Sequence, residues 1–404
     1  MTASALGSAL PSPFSAVIGD ERHAVYAELA ARGPVHPITT PAGGQAWLVT
    51  SYDHTRALLT DPRLIKGGWR NTAYADRLPE AVARGIHTTM LNNDPPMHTR
   101  LRKLVMPSFS RRKVERLIPR IQQMTDELLA ALDGEDSVDL IPALAYPLPI
   151  GVICELIGIA EEDRADFRAW TPPVVSPGVF GFDEFQEAIT ALLGFSRDLV
   201  RSRRHDPRDD LLSDLIRAGE GEDGLTDDEL TSMIFLLVVA GHETTVNLIG
   251  NGVRALLAHP DQLARLRERP ELLEPAIEEL LRYDGPVQST LSYRTTEPID
   301  VDGTKIPADA AVFFALMAAN RDPHVFPDGD TLDISGEAPA HIAFGHGIHH
   351  CVGAPLARIE ARIAIGTLIE RFPGMRLAAS AEGLGRTPSV IINGLSALPV
   401  HLRA

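Results

Sequence analysis

One cysteine of this chain stands in a setting that could do chemistry. Cys351 lies within FGHGIHHCVG (residues 344–353), which places three glycines around the thiol, and a helical pattern runs from Pro355 to Phe372 just after it. A thiol at a helix N-terminus has a lowered pKa, because the backbone N–H groups there stabilise the thiolate. We therefore expect a loop whose glycines let the backbone approach a flat partner closely while Cys351 presents a sulfur ligand.

The residues alone leave three other interpretations of Cys351 open. A lone cysteine is most often an inert buried residue, although the glycine-rich surroundings argue against this here. His346, His349 and His350 could form a zinc site with Cys351, but no second Cys/His pair stands at the spacing of a structural zinc site. Cys351 could also be a catalytic nucleophile beside a histidine. Cys154 lies in a continuous apolar helical pattern and is expected in the core.

The pattern Phe-Gly-x-Gly-x-His-x-Cys-x-Gly resembles the haem-binding signature of the cytochromes P450, and residues 344–353 match every fixed position. The resemblance implies that Cys351 is the axial thiolate ligand of a haem b iron, with Phe344, Gly345 and Gly353 shaping the loop around the cofactor. A thiolate ligand pushes electron density onto the iron and favours cleavage of the O–O bond. The implied activity is that of a monooxygenase with O2 as cosubstrate.

Polar residues interrupt an apolar helical pattern at AGHET (residues 240–244). Polar side chains are costly in the middle of a buried helix unless something uses them. The segment resembles the oxygen-activation motif of the same family, with Ala240 at its start. By this resemblance Gly241 leaves room for oxygen, Thr244 hydrogen-bonds it, and Glu243 relays protons from solvent. From the residues alone, Thr244 could instead bond the carbonyl four residues before it. The intact acid–alcohol pair favours oxygenation over isomerase or peroxygenase chemistry.

The segment DPPMHTRLR (residues 94–102) resembles the family segment whose histidine and second arginine bind the haem propionates. The resemblance therefore implies that His98 and Arg102 bind the propionates, and that Arg294 and His349 fill the other two positions. Without the resemblance, His98 and Arg102 would be interpreted as an exposed pair four residues apart on a helix.

Glu279 and Arg282 form a Glu-x-x-Arg pattern that by itself is compatible with a weak surface ion pair. In the family this pattern is a buried pair that, with a later arginine, stabilises the fold behind the cysteine loop. Arg321 stands where that arginine is expected.

The elements that must position these residues are mostly helical. Thr226 and Glu229 form a capping-box pattern, and helix-compatible sequence continues to His259, where Pro260 ends it. This helix, apolar nearly all round from Met233 to Ala240, is expected to cross the centre of the protein above the haem. Further helices are expected over residues 121–132, 150–159 and 185–204.

Strand patterns are short and lie towards the two ends of the chain. Residues 45–50 and 311–316 are predicted strands, and residues 299–306 are a predicted hairpin with Asp302-Gly303 as its turn. No repeat or Gly/Ser linker divides the chain. We expect a mainly α protein with small β-sheets: a flexible tail over residues 1–13, then a single domain over residues 14–404 with the triangular cytochrome P450 fold.

Composition limits the location and the partners. The formal charge of −16 disfavours nucleic acid as a general partner, and two cysteines are too few for a disulfide framework. The N-terminus has no secretory pattern, and the most apolar run, about eight residues long, is far shorter than the ~20 needed to span a bilayer. The expectation is a soluble cytoplasmic monomer.

Electrons must come from another protein, since no convincing Gly-x-Gly-x-x-Gly segment for a dinucleotide follows a predicted strand. The resemblance implies an iron–sulfur ferredoxin, itself reduced by an NAD(P)H-dependent reductase. Ferredoxins are acidic, so a basic docking surface is expected. The candidates, which could equally be a solvated helix face, are Arg111, Arg112, Lys113, Arg358 and Arg362.

For the substrate, DPPMHTRLRKLV (residues 94–105) and AGHETTVNLIGNG (residues 240–252) resemble macrolide-tailoring hydroxylases of the pikromycin type and a bacterial vitamin D hydroxylase. The expected substrate is a bulky apolar natural product of secondary metabolism, such as a macrolide or polyketide, which is hydroxylated or epoxidised; the alternatives are a steroid, a terpenoid, or non-oxygenase chemistry. Asn92 and Asn93 stand where the pikromycin type has an acid for an amino sugar, so an uncharged substrate is favoured. The expected pocket residues are Met90, Leu91, Val174, Val175, Val179, Phe180, Val239, Val287, Leu291 and Ile391.

Overall fold

The computed structural model describes residues 12–15, 20–41, 43–66, 77–176, 180–218, 224–336 and 340–403. Most of the predicted N-terminal tail, residues 1–11, lies outside the described residues. Phe14 is buried against Leu29 and Met317 in a small apolar cluster. Phe14 is therefore part of the apolar core.

Helices with one apolar face make up most of the described chain, as predicted. Each predicted helix is present with its ends shifted by a few residues, and the centre of α7 includes the fully buried Cys154. The α-helices of the described residues are α1 (Glu21–Arg32), α2 (Tyr52–Leu58), α3 (Glu80–His87), α4 (Met97–Val105), α5 (Arg111–Glu115), α6 (Ile118–Ala130), α7 (Pro147–Ile157), α8 (Arg164–Val175), α9 (Phe182–His205), α10 (Leu211–Ala218), α11 (Asp227–Ala258), α12 (Pro260–Glu268), α13 (Leu273–Asp284), α14 (Leu316–Ala319) and α15 (Ala354–Arg371).

The long helix α11 is the centre of the molecule. Its N-terminus has the predicted capping box: Thr226 Oγ1 accepts the Glu229 N–H, and the Glu229 side chain accepts the Thr226 N–H. The helix packs against α7, α9, α13 and α15, because its apolar residues point in every direction over much of its length. It is the one helix in the described part of the chain long and apolar enough to span a bilayer, and 72% of its apolar window is buried inside the protein. It is therefore a core helix of the fold.

The strands form small sheets, in agreement with the predicted mainly α class. The five-stranded sheet has the order β1-β2-β8-β5-β3, in which β2 and β8 are parallel; β4-β10-β9 form a second sheet and β6-β7 a hairpin. The strands are β1 (Val35–Thr39), β2 (Gln45–Val49), β3 (Leu64–Ile65), β4 (Ser137–Asp139), β5 (Tyr293–Thr295), β6 (Ile299–Val301), β7 (Thr304–Ile306), β8 (Ala311–Phe314), β9 (Arg376–Leu377) and β10 (Pro399–His401).

The predicted strands are confirmed with small changes. The hairpin turn has Asp302 and Gly303 at φ +48° and +84°, the left-handed backbone that an Asp-Gly turn requires. Strand β8 ends two residues earlier than predicted, since Leu316 begins α14. The remaining strands have only two to five residues, too few to show a clear alternation in the sequence.

Glu279 and Arg282 form a buried ion pair, and not a surface one. Each is 4% exposed, two hydrogen bonds of 2.7 Å join them, and Arg282 also donates to the carbonyls of Asn320, Gly329 and Thr331. The side chain of Asn320 accepts the Ile342 N–H, just before the cysteine loop.

The prediction that Arg321 joins the pair of Glu279 and Arg282 was wrong. Arg321 donates to the Tyr283 carbonyl at 2.7 and 3.0 Å and pairs with Asp330 at 2.8 Å, so it does not contact the Glu279 carboxylate. It follows Asn320 at the end of α14, where its side chain points to the exposed Asp330 and away from the buried pair. Its structural role is to join the end of α13 to the segment around residue 330.

Candidate functional site

A cavity of about 400 Å³ is lined by α11, the cysteine loop and the first turns of α15. From α11 it is lined by Val239, Ala240, Gly241, Glu243 and Thr244. From the loop and α15 it is lined by Phe344, Gly345, His349, Cys351 and Gly353. The structure thus brings most of the predicted catalytic and cofactor-binding groups together in one cavity.

The cysteine loop has the backbone that its glycines predict. Gly345 and Gly347 have φ values of +74° and +73°, and a Cβ on Gly347 would lie 2.9 Å from the Leu59 carbonyl oxygen. The Cys351 N–H donates to the Phe344 carbonyl at 2.9 Å, which closes the loop. Burial raises the pKa of the Cys351 thiol, and the N–H groups of Gly353 and Ala354 at the N-terminus of α15 oppose that rise. The sulfur therefore stands at a helix N-terminus and faces the cavity.

Buried polar atoms without partners mark one end of this cavity. His98 is buried on α4, and neither of its ring nitrogens has a hydrogen-bond partner among the described residues, nor does Nε2 of His349. The two rings are 4.4 Å apart, and Arg102 Nη2 donates to the His350 carbonyl at 2.6 Å beside them. Burial lowers the pKa of both histidines, that of His349 to about 3. Unsatisfied buried donors imply a ligand with acceptor oxygens.

These residues fit a haem. Its two propionates would accept hydrogen bonds at the end formed by His98, Arg102 and His349, and Cys351 offers the sulfur for its iron. Gly345 and Gly353 leave the cavity open beside the loop: the nearest atoms to a Cβ added there would be 4.0 and 3.9 Å away.

Arg294, the remaining cation predicted for the propionates, does not line the cavity. It lies on β5 and forms an ion pair with Asp309. Its neighbour Tyr293 faces the cavity, as expected from the alternation of side chains along a strand. Lys66, which follows β3, lines the cavity at the same end.

The side chain of Thr244 in α11 agrees with both interpretations given in the sequence analysis: it faces the cavity, and it hydrogen-bonds the carbonyl four residues before it. Thr244 faces the cavity, and its Oγ1 donates to the Ala240 carbonyl at 2.9 Å. Burial raises the pKa of Glu243 to about 7, so its carboxyl group titrates near neutral pH. Gly241 lines the cavity, but a Cβ there would also lie 2.9 Å from the Ile153 side chain. The absence of a side chain at 241 therefore also allows α7 and α11 to pack closely.

His242 and Tyr146 are polar neighbours of Glu243 that sequence analysis missed. Nδ1 of His242 lies 2.7 Å from the Val238 carbonyl, so it carries the hydrogen and leaves Nε2 as an acceptor 3.7 Å from Glu243 Oε1. Burial lowers the pKa of His242 to about 4, and its ring meets that of Tyr146 edge to face. The position of residue 242 in α11 is compatible with burial, but the sequence does not indicate that its side chain contacts Tyr146.

Glu360 on α15 was also missed. Its side chain lines the cavity, is fully buried, and has no hydrogen-bond partner at Oε2 in the described part of the chain. Burial raises its pKa well above the ordinary value, which favours the neutral form of the carboxyl group. It lies on the predicted helix after Cys351, and its place among apolar residues is the feature of the sequence that could have indicated a buried acid.

Most of the predicted substrate pocket lines the cavity. Val179 lies outside the described residues, and Phe180 is 39% exposed and does not line the cavity, so its placement was wrong: it lies just before α9, on the surface. The predicted residues that do line the cavity are Met90, Leu91, Val174, Val175, Val239, Val287, Leu291 and Ile391. Larger side chains that were missed are Phe109, Phe185, Ile189 and Phe235.

Asn92 and Asn93 use their side chains locally. Asn92 Nδ2 donates to the Ile86 carbonyl at 3.0 Å, and Asn93 Nδ2 donates to the carbonyls of His87 and Thr89 at 2.6 and 2.7 Å. Among the described residues that line the cavity, the carboxylates are Glu243 and Glu360. In the described part of the chain, positions 92 and 93 therefore contribute no carboxylate to the cavity.

The cations suggested for docking a ferredoxin are mostly paired with acids. Such surface pairs reduce the local positive potential that an acidic partner would meet. The pairs, all with N–O distances of 2.6–2.7 Å, are Arg111 with Glu115, Lys113 with Asp214, Arg358 with Glu278 and Arg362 with Glu274. Docking at this surface stays a prediction.

The zinc interpretation of Cys351 and the core position expected for Cys154 can be compared with the structure. No group of three or more His, Cys, Asp or Glu side chains suited to a metal ion occurs within the described ranges, so a zinc site at Cys351 has no ligand set there. Cys154 is fully buried, and burial raises its pKa to about 12, as expected for an inert core residue.

Comparison with known proteins agrees with this site. Residues 181–374 match the family model "Cytochrome P450". The chain is 50% identical over 384 residues to the cytochrome P450 monooxygenase PikC of Streptomyces venezuelae, which covers 94% of this chain and 90% of that one. It is 44% identical to the vitamin D(3) 25-hydroxylase of Pseudonocardia autotrophica, with 96% of each covered. The structure of PksS, a polyketide synthase cytochrome P450 of Bacillus subtilis, superposes with a TM-score of 0.89 at 36% identity, covering 98% of this chain and 100% of that one. With this identity and coverage, the chain belongs to the cytochrome P450 monooxygenase family.

Proposed function

We propose that this protein is a haem-thiolate monooxygenase that hydroxylates or epoxidises a bulky, uncharged natural product of the macrolide or polyketide class. The observation that carries the proposal is a single cavity lined by a helix-terminal thiol, a Glu–Thr pair and apolar walls. The domain extends from residue 14 to 404, and the protein works as a cytoplasmic monomer that receives electrons from a ferredoxin and its NAD(P)H-dependent reductase.

The haem is held by Cys351 at its iron and by His98, Arg102 and His349 at its propionates, with Arg294 as a further candidate on β5. Phe344, Gly345 and Gly353 shape the loop that approaches it. When bound, the thiolate-ligated haem supplies the activation of O2 and the transfer of one oxygen atom.

The chain itself supplies the protons. Glu243 can carry a proton near neutral pH because burial raises its pKa to about 7, and His242 Nε2, which has no hydrogen-bond partner in the described part of the chain, lies 3.7 Å from Glu243 Oε1. Thr244 can turn its hydroxyl proton from the Ala240 carbonyl towards an acceptor in the cavity. The apolar walls keep bulk water away from this pair.

The proton role of Thr244 can be tested directly. We expect Thr244→Ala to lower the fraction of electrons recovered in product by roughly tenfold and to raise hydrogen peroxide, whereas Thr244→Ser keeps the coupling. Product and peroxide are measured together with ferredoxin, reductase and a turned-over substrate. Equal coupling in Thr244→Ala and the parent protein would exclude this role.

The walls support an uncharged substrate. Contact with apolar side chains contributes roughly 25 cal/mol per Å² of buried apolar surface, which favours a large hydrophobic ligand. A cationic amino sugar near Asn92 would meet an amide that is already bonded to the Ile86 carbonyl, and no carboxylate. The relative PksS is a polyketide synthase P450 by name, and the relative from Pseudonocardia hydroxylates vitamin D(3) by name.

Two spectra test the proposal. The purified protein reduced under carbon monoxide should show the red-shifted Soret band of a thiolate-ligated haem; a haem-loaded protein without that band would contradict the proposal. Titration with macrolactones, steroids and terpenes should then shift the spin state for binders, because a substrate displaces the water on the iron. Binding of steroids but not of macrolactones would favour the steroid alternative.

A further inference from the structure

Lys66 is a buried cation that the cytochrome P450 resemblance does not assign. It follows β3, is 4% exposed, and lines the cavity that holds the candidate haem site. Its ammonium group lies over the ring of Tyr293, 3.6 Å from the centroid. No ion pair within the described residues includes Lys66. A lysine is rarely buried to this extent without a partner for its charge.

Its surroundings place it among the propionate-binding residues. The same Tyr293 ring contacts the ring of His349, with centroids 6.3 Å apart, and the ring of His349 lies 4.4 Å from that of His98. Lys66, His98, Arg102 and His349 thus converge at one end of the cavity as potential donors.

Asp94 positions Lys66 and His98 beside each other but forms no ion pair with the Lys66 ammonium group. Asp94 accepts the backbone N–H of Lys66 at 2.9 Å, and its carbonyl accepts the His98 N–H at 3.0 Å. Asp94 therefore ties the end of β3 to the start of α4 and sets Lys66 beside His98. Even with this acid nearby, burial lowers the pKa of Lys66 to about 7. An anion placed in the cavity would restore a fully charged ammonium group.

We propose that Lys66 is a haem-propionate ligand whose ammonium group, with His98, Arg102 and His349, forms the anion-binding end of the cavity. Arg294 of β5 is paired with Asp309, and Lys66, which follows β3, supplies a cation at this end from a different segment of the chain. The inference rests on the proposed function, because it requires that the cavity holds haem.

The test uses the haem-loaded protein and needs no substrate. Lys66→Met keeps the length and apolar stem of the side chain but removes the charge, and Lys66→Arg keeps the charge. Lys103→Met is the matched control, since Lys103 is exposed on α4. Haem loss is followed by transfer to an excess of apomyoglobin, and the midpoint potential by spectroelectrochemical titration.

We expect Lys66→Met to lose haem about tenfold faster, which corresponds to about 1.4 kcal/mol, and to shift the haem midpoint potential to more negative values. The potential falls because a cation near the propionates stabilises the more negative reduced haem. Lys66→Arg should recover most of both effects, and Lys103→Met should match the parent protein. These readouts separate propionate binding from packing of Lys66 on Tyr293, which would change thermal unfolding alone.

Equal haem loss and potential in Lys66→Met and Lys103→Met would overturn the assignment. If Lys66→Met does not fold, the Lys66→Arg holoprotein is compared with the parent holoprotein by resonance Raman spectroscopy. The propionate-bending band should differ between the two only if residue 66 contacts the propionate, and an unchanged band would overturn the assignment. A parent protein that binds no thiolate-ligated haem would instead contradict the proposed function.

Discussion

The two sides of the cavity are held by different kinds of contact. The cysteine loop is fixed by backbone hydrogen bonds, by glycines at positive φ and, through Asn320, by the buried pair of Glu279 and Arg282. The substrate-facing wall consists of apolar side chains from separate elements near residues 86–92, 174–175, 185–189, 287–291 and 391–392. Directional contacts specify one geometry, whereas apolar packing tolerates changes of similar volume. Under the proposed function, we therefore expect the loop side to determine the chemistry and the wall to determine the substrate.

The largest expected effect lies at the loop. Cys351→Ser should remove the red-shifted carbon monoxide band and lower product formation by roughly a thousandfold or more, because a hydroxyl does not replace the thiolate as an electron donor to the iron. The matched control is Cys154→Ala, a core change that should keep the band. A Cys351→Ser protein with the parent spectrum would identify a different axial ligand.

The support behind the loop should be nearly as sensitive. Glu279→Gln should lower the free energy of unfolding by about 3–5 kcal/mol, because it leaves the buried Arg282 charge uncompensated. In Glu271→Gln, which breaks the exposed pair with Arg269, the loss should stay below about 1 kcal/mol. Urea denaturation of both variants measures the difference. Similar losses of unfolding free energy in Glu279→Gln and Glu271→Gln would show that the buried pair is no more important for stability than an exposed one.

Between the two sides, Glu243 should make stability depend on pH. Its pKa is about 7 in the folded protein and about 4.5 when exposed, so the folded state keeps a proton that the unfolded state loses between these values. Stability falls as pH rises through this window, by up to roughly 3 kcal/mol at 1.4 kcal/mol per unit. Glu243→Gln should therefore equal the parent protein near pH 4.5 and be more stable at pH 8. Urea denaturation at both pH values checks this, and a constant difference would refute it.

The smallest effect is expected at the wall. Asn92→Asp adds an acid at the cavity and should tighten binding of an aminated macrolide by about three- to tenfold, since a partly exposed ion pair contributes about 1 kcal/mol. Binding of the neutral macrolactone should stay the same or weaken slightly. Spin-state titrations with the two ligands measure this selectivity. Tight binding of the aminated ligand by the parent protein would show that an acid at 92 is not needed.

The sequence by itself determined the local features of this protein. The glycine loop around Cys351, the capping box of α11 and the Asp302-Gly303 turn each depend on residues within a few positions, where backbone geometry and residue type are directly linked. The Glu243–Thr244 motif and the helix class followed from the same short-range patterns. The mainly α class could thus be predicted, although several individual helices, such as α1 (Glu21–Arg32) and α8 (Arg164–Val175), and the shortest strands were not.

Only the tertiary structure decided the contacts between distant segments. Lys66 contacts Tyr293, which is 227 residues later in the sequence. Arg321 forms an ion pair with Asp330 and does not contact Glu279. Phe185 lines the cavity, whereas Phe180 lies on the surface. No local pattern distinguishes such pairs, because each depends on how whole helices and strands pack. The backbone geometry of the cysteine loop could therefore be predicted from the sequence, whereas the cavity wall and the surroundings of Lys66 needed the fold.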